Sequence, residues 1–144
     1  RDALLRAIDL RNEEAEEDPK VTLQAVKFLG TSYLILEDYP NARITFNRVL
    51  EIDPDDHEAY YRLGFDRVLN KDWGGAIRRL KKAIELKPDS ESYHLLLAQS
   101  YTNSQQLAMA IRHYNKVLKI NPKNGKAREQ LGQVRDIYEQ QQGN

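Results

Sequence analysis

The sequence predicts an all-α protein built as a solenoid of antiparallel helix pairs. Three observations point there. Pro54, Pro88 and Pro122 recur at intervals of 34 residues. Ala42, Ala76 and Ala110 each stand twelve residues before one of those prolines, and Phe46, Leu80 and Tyr114 stand four residues after each alanine. Each unit so marked carries two apolar patterns of about 14 residues at i, i+3, i+4 and i+7, the stripe of an amphipathic helix. A fixed period of this length signals units that bury their apolar faces against their neighbours.

The elements follow in chain order. Residues 2–17 read as the second helix of a degenerate preceding unit, since Ala7 and Pro19 stand twelve apart. Arg11, Glu13, Glu14, Glu16 and Glu17 make its far end polar, so residues 1–19 are expected to form an N-terminal cap. Three full units follow at 23–56, 57–90 and 91–124. In their first helices Leu29-Gly30, Leu63-Gly64 and Leu97-Ala98 recur, with Val26, Tyr60 and His94 three residues before each leucine. Tyr33, Arg67 and Tyr101 close the pattern. In the second unit the first helix should bury Tyr60, Leu63, Gly64 and Val68, and the second Ala76, Ile77, Leu80, Ala83 and Ile84. Small residues such as Gly64 and Ala76 let helix axes approach, and larger groups fill the space beside them. Asp38, Asp72 and Ser104 are placed to cap the second helices, and Asp56, Ser90 and Asn124 the first helices that follow. The prolines end the units because proline cannot continue the hydrogen-bond ladder. Residues 125–142 start like another first helix, with Leu131-Gly132 and Arg135, and end on Gln140, Gln141 and Gln142, a polar C-terminal cap. The whole of 1–144 is expected to form one domain.

Over 102 residues, a large residue, Leu-Gly, Tyr, then Ala, an aromatic and Pro in 34 positions, the pattern resembles the tetratricopeptide repeat family. Val49 and Val117 stand where that family prefers Ala, and Arg67 where it prefers Tyr. The resemblance implies a right-handed superhelix whose first helices line a concave groove, and a protein that binds other proteins. Family members that coat bacterial magnetosomes share this general plan.

Composition bounds the function. With 40% hydrophobic and 31% charged residues the chain should fold, and no apolar run reaches the roughly 18 residues of a membrane span. Arg1 rather than Met opens the sequence, which suggests a piece of a longer chain. The absence of cysteine excludes disulfides and thiolate metal sites and suits the cytoplasm, with peripheral association to an organelle or complex open. The formal net charge of zero argues against nucleic-acid binding by bulk charge. Yet residues 1–56 hold 7 basic and 13 acidic side chains, a net of −6, and residues 57–124 hold 12 and 6, a net of +6. Such a split permits a homo-oligomer through an acidic N-terminal and a basic central surface.

No catalytic constellation emerges, and no cofactor or metal is expected. His57, His94 and His113 lack zinc-ligand spacing. Asp53, Asp55 and Asp56 lack the glycine and terminal glutamate of a calcium loop and read as a turn and cap. Gly74-Gly75 opens a helix rather than cradling a phosphate. Trp73 reads as packing between two helices of one unit.

Two surfaces remain for partners. The groove positions of the first helices are Lys27, Thr31 and Leu34, then Tyr61 and Phe65, then Leu95, Gln99 and Asn103. Tyr61, Phe65 and Leu95 form an apolar patch that stacking does not require, a candidate anchor for a peptide or helix. Chaperone-tail receptors of the family hold a carboxylate with two Lys, two Asn and an Arg. By resemblance those places are Lys27, Thr31, Arg62, Ser92 and Leu96, or, one unit on, Tyr61, Phe65, Leu96, Lys126 and Gln130, with one match in either frame. No such clamp is expected. The second helices carry Arg78, Arg79, Lys81, Lys82 and Lys87, then Arg112, Lys116, Lys119 and Lys123, a basic convex surface suited to an acidic partner. The readings that compete with a self-contained scaffold are the targeting domain of a larger enzyme, such as a glycosyltransferase or hydroxylase, and a nucleic-acid binder. The latter is weakened by the lack of aromatics among these cations.

Overall fold

The computed structural model describes residues 1–3, 5–6 and 19–143, Val21 by its backbone only. Most of the N-terminal cap expected over 1–19 therefore lies outside the described residues. Within them the chain forms α1 (Pro19–Ile35), α2 (Tyr39–Ile52), α3 (His57–Leu69), α4 (Trp73–Leu86), α5 (Glu91–Asn103), α6 (Leu107–Ile120) and α7 (Gly125–Gln142), and no strand. Each helix packs mainly on its neighbours in sequence, with a lighter contact between α3 and α5, as a solenoid requires.

The period in the sequence becomes a layered core. Ala42, Ala76 and Ala110, then Phe46, Leu80 and Tyr114, then Val49, Ala83 and Val117 are each no more than 2% exposed. These second-helix residues meet the small positions of the first helices. A Cβ on Gly30 would lie 2.9 Å from the Phe46 ring, and one on Gly64 2.9 Å from Leu80 Cγ. Glycine is needed there for close approach, and the Ala98 methyl, fully buried, is tolerated in the third unit. Leu63 and Gly64 are buried as expected, while Tyr60, Val68, Ile77 and Ile84 are only half-buried.

The turns also repeat. Glu37, Lys71 and Gln105 adopt left-handed φ values of 57°, 55° and 62°. The N–H groups of Asp38, Asp72 and Gln106 reach back to Tyr33, Arg67 and Tyr101 carbonyls, each at 2.9 Å. Each turn thereby satisfies the end of one helix and fixes where the next begins. Asp38, Asp72, Asp56, Ser90 and Asn124 all accept from the backbone N–H three residues on. Ser104 departs from its expected capping role. It is the C-cap of α5, its hydroxyl donates to the Tyr101 carbonyl at 3.2 Å, and Gln106 stands at the N-cap of α6 with no side-chain cap bond. The turn geometry fixes the cap one residue after the left-handed residue, and at that place this unit has no short oxygen-bearing side chain. Asp55 N–H donates to Asp53 Oδ1 at 3.1 Å, the turn read from these aspartates.

Candidate functional site

The family resemblance assigns α1, α3, α5 and α7 to the inner face, and α3 touches α5 directly. At its centre Tyr61 of α3 stacks on Tyr93 of α5, centroids 4.7 Å apart and rings 24° from parallel. Arg62 lies over the Tyr61 ring at 5.7 Å, and its NH2 group donates to Glu58 at 3.5 Å. His57 Nδ1 meets the Tyr93 hydroxyl at 2.7 Å. Burial, reinforced by Glu58 and Asp56, pushes the Tyr93 phenol up to about 12, so it stays protonated.

Lys27 of α1 joins this cluster. Its Nζ donates to Asp56 Oδ2 at 2.8 Å and lies 3.1 Å from Glu58. Burial pulls its pKa down, but hydrogen bonds and charge from both carboxylates outweigh that and leave it raised. Asp56 is itself 7% exposed and also caps α3 through Ala59 N–H at 2.9 Å. Lys27, the match to a carboxylate clamp in the first frame, is thus already neutralised within the fold.

The other groove residues are equally engaged. Thr31 donates to the Lys27 carbonyl at 3.0 Å, and Asn103 to the Gln99 carbonyl at 2.9 Å. Gln99 donates to Gln130 Oε1 of α7 at 3.0 Å. Tyr61, Phe65 and Leu95 are half-buried against the larger core cluster, and Leu34 against the smaller one. Phe65 also lines, with Leu34, Tyr39 and Phe46, a small void between α1, α2 and α3. The expectation that stacking does not require this patch is corrected: its residues contribute to both packing and surface.

The outer face differs. A cavity of about 660 Å³ opens between α4 and α6, lined by Arg78, Lys81, Lys82 and Arg112 over Leu97 and Met109. A second, of about 480 Å³, continues toward Lys116 and Lys119 and shares Ile84, Arg112 and His113 with the first. Arg78, Lys81, Arg112 and Lys119 are exposed. Lys82 pairs with Glu85 at 3.4 Å and Lys116 with Asp89 at 3.6 Å. Arg79 does not join them. It is half-buried beside Gly64 and lines a separate cavity with Tyr60 and Arg67.

Beneath the cleft lies a ring column that the repeat pattern does not reveal. His113 stacks between His94 at 5.3 Å and Tyr101 at 5.6 Å. His94 Nε2 meets the Pro88 carbonyl at 2.7 Å, so that nitrogen carries a hydrogen. Neutral His94 then accepts at Nδ1 from His113 Nδ1–H, 3.0 Å away. Burial, then His94, Arg112 and Lys81, pushes His113 down to about 4; burial and then Lys116 lower His94. His94 was readable as a packing residue, but its pairing with His113 depends on how α5 meets α6. Among the described residues no cluster of His, Asp or Glu could hold a metal, and no helix is long and apolar enough to cross a membrane.

Comparison with known proteins fits this architecture. A family model described as "Anaphase-promoting complex, cyclosome, subunit 3" matches residues 35–117. No curated protein sequence matches. A MamA fragment from Desulfovibrio magneticus RS-1 superposes with a TM-score of 0.80 at 25% identity, over 96% of this chain and 75% of that one. The first TPR of Spaghetti (RPAP3), bound to an HSP90 peptide, gives 0.77 at 18% identity, over 81% and 92% of the two chains, a likeness of fold alone. A Thermobaculum terrenum O-GlcNAc transferase gives 0.74 at 26% identity over 81% of this chain, which spans 22% of that one.

Proposed function

Because the chain belongs to the tetratricopeptide repeat family, with the family match running over residues 35–117, we propose that it is a non-catalytic interaction module that binds a peptide or helix of another protein along its inner face. The observation that carries this is the Tyr61 ring, half-exposed and held between Tyr93 and Arg62. A ring fixed in advance adds contact area at small entropic cost, the property that makes Tyr and Arg frequent interface anchors. Around it Glu58 and the Lys27–Asp56 pair offer polar recognition of a partner's backbone or charges. The groove residues of this proposal are Lys27, Thr31, Leu34, Tyr61, Phe65, Leu95, Gln99 and Asn103. The peptide complex of the RPAP3 repeat domain supports the same use of the fold here.

The test is a selection from a random displayed peptide library, followed by calorimetry of a selected peptide. Tyr61→Ala should weaken binding by about 1–3 kcal/mol, Tyr61→Phe should bind nearly as well, and both should retain helical circular dichroism. Undiminished affinity of Tyr61→Ala would contradict the proposal. A second reading, substrate recruitment within a larger enzyme, is favoured by the 26% identity to part of the O-GlcNAc transferase.

A further inference from the structure

The cleft on the outer face lies outside the groove and has its own chemistry. We propose that the channel between α4 and α6 binds an acidic, extended peptide segment of a partner protein, with an apolar side chain seated on its floor.

Charge selects the sign of the ligand. Arg78, Lys81, Lys82, Arg112, Lys116 and Lys119 line the two adjoining cavities. The carboxylates among them are Glu85 and Asp89, paired at 3.4 and 3.6 Å in exposed geometry. Exposed pairs of this kind hold their cations weakly. Six cations against two carboxylates leave a surplus of four. Cations crowded along one cleft raise the local concentration of an acidic ligand and speed its capture.

Shape and floor select its class. The α6 wall runs from Met109 to Lys119, about 15 Å along the helix axis, room for about five residues of extended chain at about 3.3 Å each. Ile84 and Met109, both half-buried, supply aliphatic surface for a side chain. A single-stranded nucleic acid would instead need a ring face on which to stack bases. Here the ring faces are largely covered: Tyr101 and His94 are both 4% exposed, and both stack on His113. Of the described carboxylates in residues 1–56, Asp38 and Asp56 cap helices, Asp53 holds a turn, and Asp2, Glu37, Glu51 and Asp55 are scattered.

The probe is a short fluorescein-labelled peptide of alternating glutamate and leucine, followed by fluorescence polarisation. Saturable binding that weakens with salt is expected. The double variant Lys81→Glu/Arg112→Glu, both sites exposed, should lose about tenfold or more in affinity, a loss of about 1.4 kcal/mol. The variant Arg48→Glu/Lys126→Glu makes the same charge change elsewhere and should stay within about twofold. Replacing the peptide's leucines by serine should also weaken binding, with no change to the protein. The proposal is overturned if both double variants lose affinity equally, if the leucines make no difference, or if no saturable binding occurs. It is likewise overturned if a single-stranded RNA or phosphatidylserine vesicles outcompete the peptide, or if sedimentation shows that the cleft mediates self-association.

Discussion

On the inner face Lys27 lies within 3.1 Å of two carboxylates, and Tyr61 is stacked on a second tyrosine. On the outer face Arg78, Lys81 and Arg112 are exposed and form no salt bridge among the described residues. The same residue types therefore do different physical work. A paired and stacked cluster is rigid and electrically quiet, so it recognises by shape and placed hydrogen bonds. An unpaired cationic cleft attracts by charge, and its attraction fades as salt screens it. The face that carries Lys27 and Tyr61 is the quiet one, and the bare charge lies on α4 and α6.

The largest expected effect falls on what the two faces share. Gly64→Leu drives a side chain into Leu80, whose Cγ would lie 2.9 Å from the added Cβ. Overpacking should cost about 1–3 kcal/mol in denaturant unfolding and weaken binding on both faces. A neutral substitution would show that the crossing of α3 and α4 does not position them.

Removing Asp56 should separate the faces. Asp56→Ala takes away the cap of α3 and one partner of Lys27. A cost of about 0.5–2 kcal/mol is expected, with salt-sensitive peptide binding appearing on the inner face. Asp56→Asn keeps a capping oxygen and should cost less. Equal losses in chemical denaturation would mean that the ion pair, not the cap, dominates.

At neutral pH the smallest effect is that of His113, beneath the outer face. The unfolded chain's His113 takes up a proton below its ordinary pKa of 6.5, while the folded one stays neutral down to about 4. Between those values the unfolded state binds more protons, so this residue makes stability fall as pH falls. Its neighbours His94, Arg112 and Lys81 all oppose its charging. His113→Gln should flatten the stability profile between pH 4 and 6.5 relative to the parent protein; an unchanged slope would show that His113 does not contribute.

What the sequence disclosed follows from the range of the forces involved. The solenoid was legible because Pro54, Pro88, Pro122 and the alanines before them repeat a local pattern whose partners lie one helix away. Most caps were legible because Asp, Ser and Asn side chains bond backbone only three residues on. Ser104 misled because residue type was followed where turn geometry decides. The candidate sites were only half visible. Tyr61 and Arg78 could be placed on faces, but the pairing of Lys27 with Asp56, 29 residues away, depends on how successive units are set against each other. The same holds for His94 and His113, and for Phe65, which periodicity left free and packing engaged.

The most direct test of the account is amide hydrogen exchange on the full chain with and without a library-selected peptide. The account predicts added protection along α1, α3 and α5, centred on residues 58–65 and 91–99, with α4 and α6 unchanged. Protection confined to α4 and α6, or a peptide that binds without protecting α3, would contradict the assignment of the inner face as the binding groove.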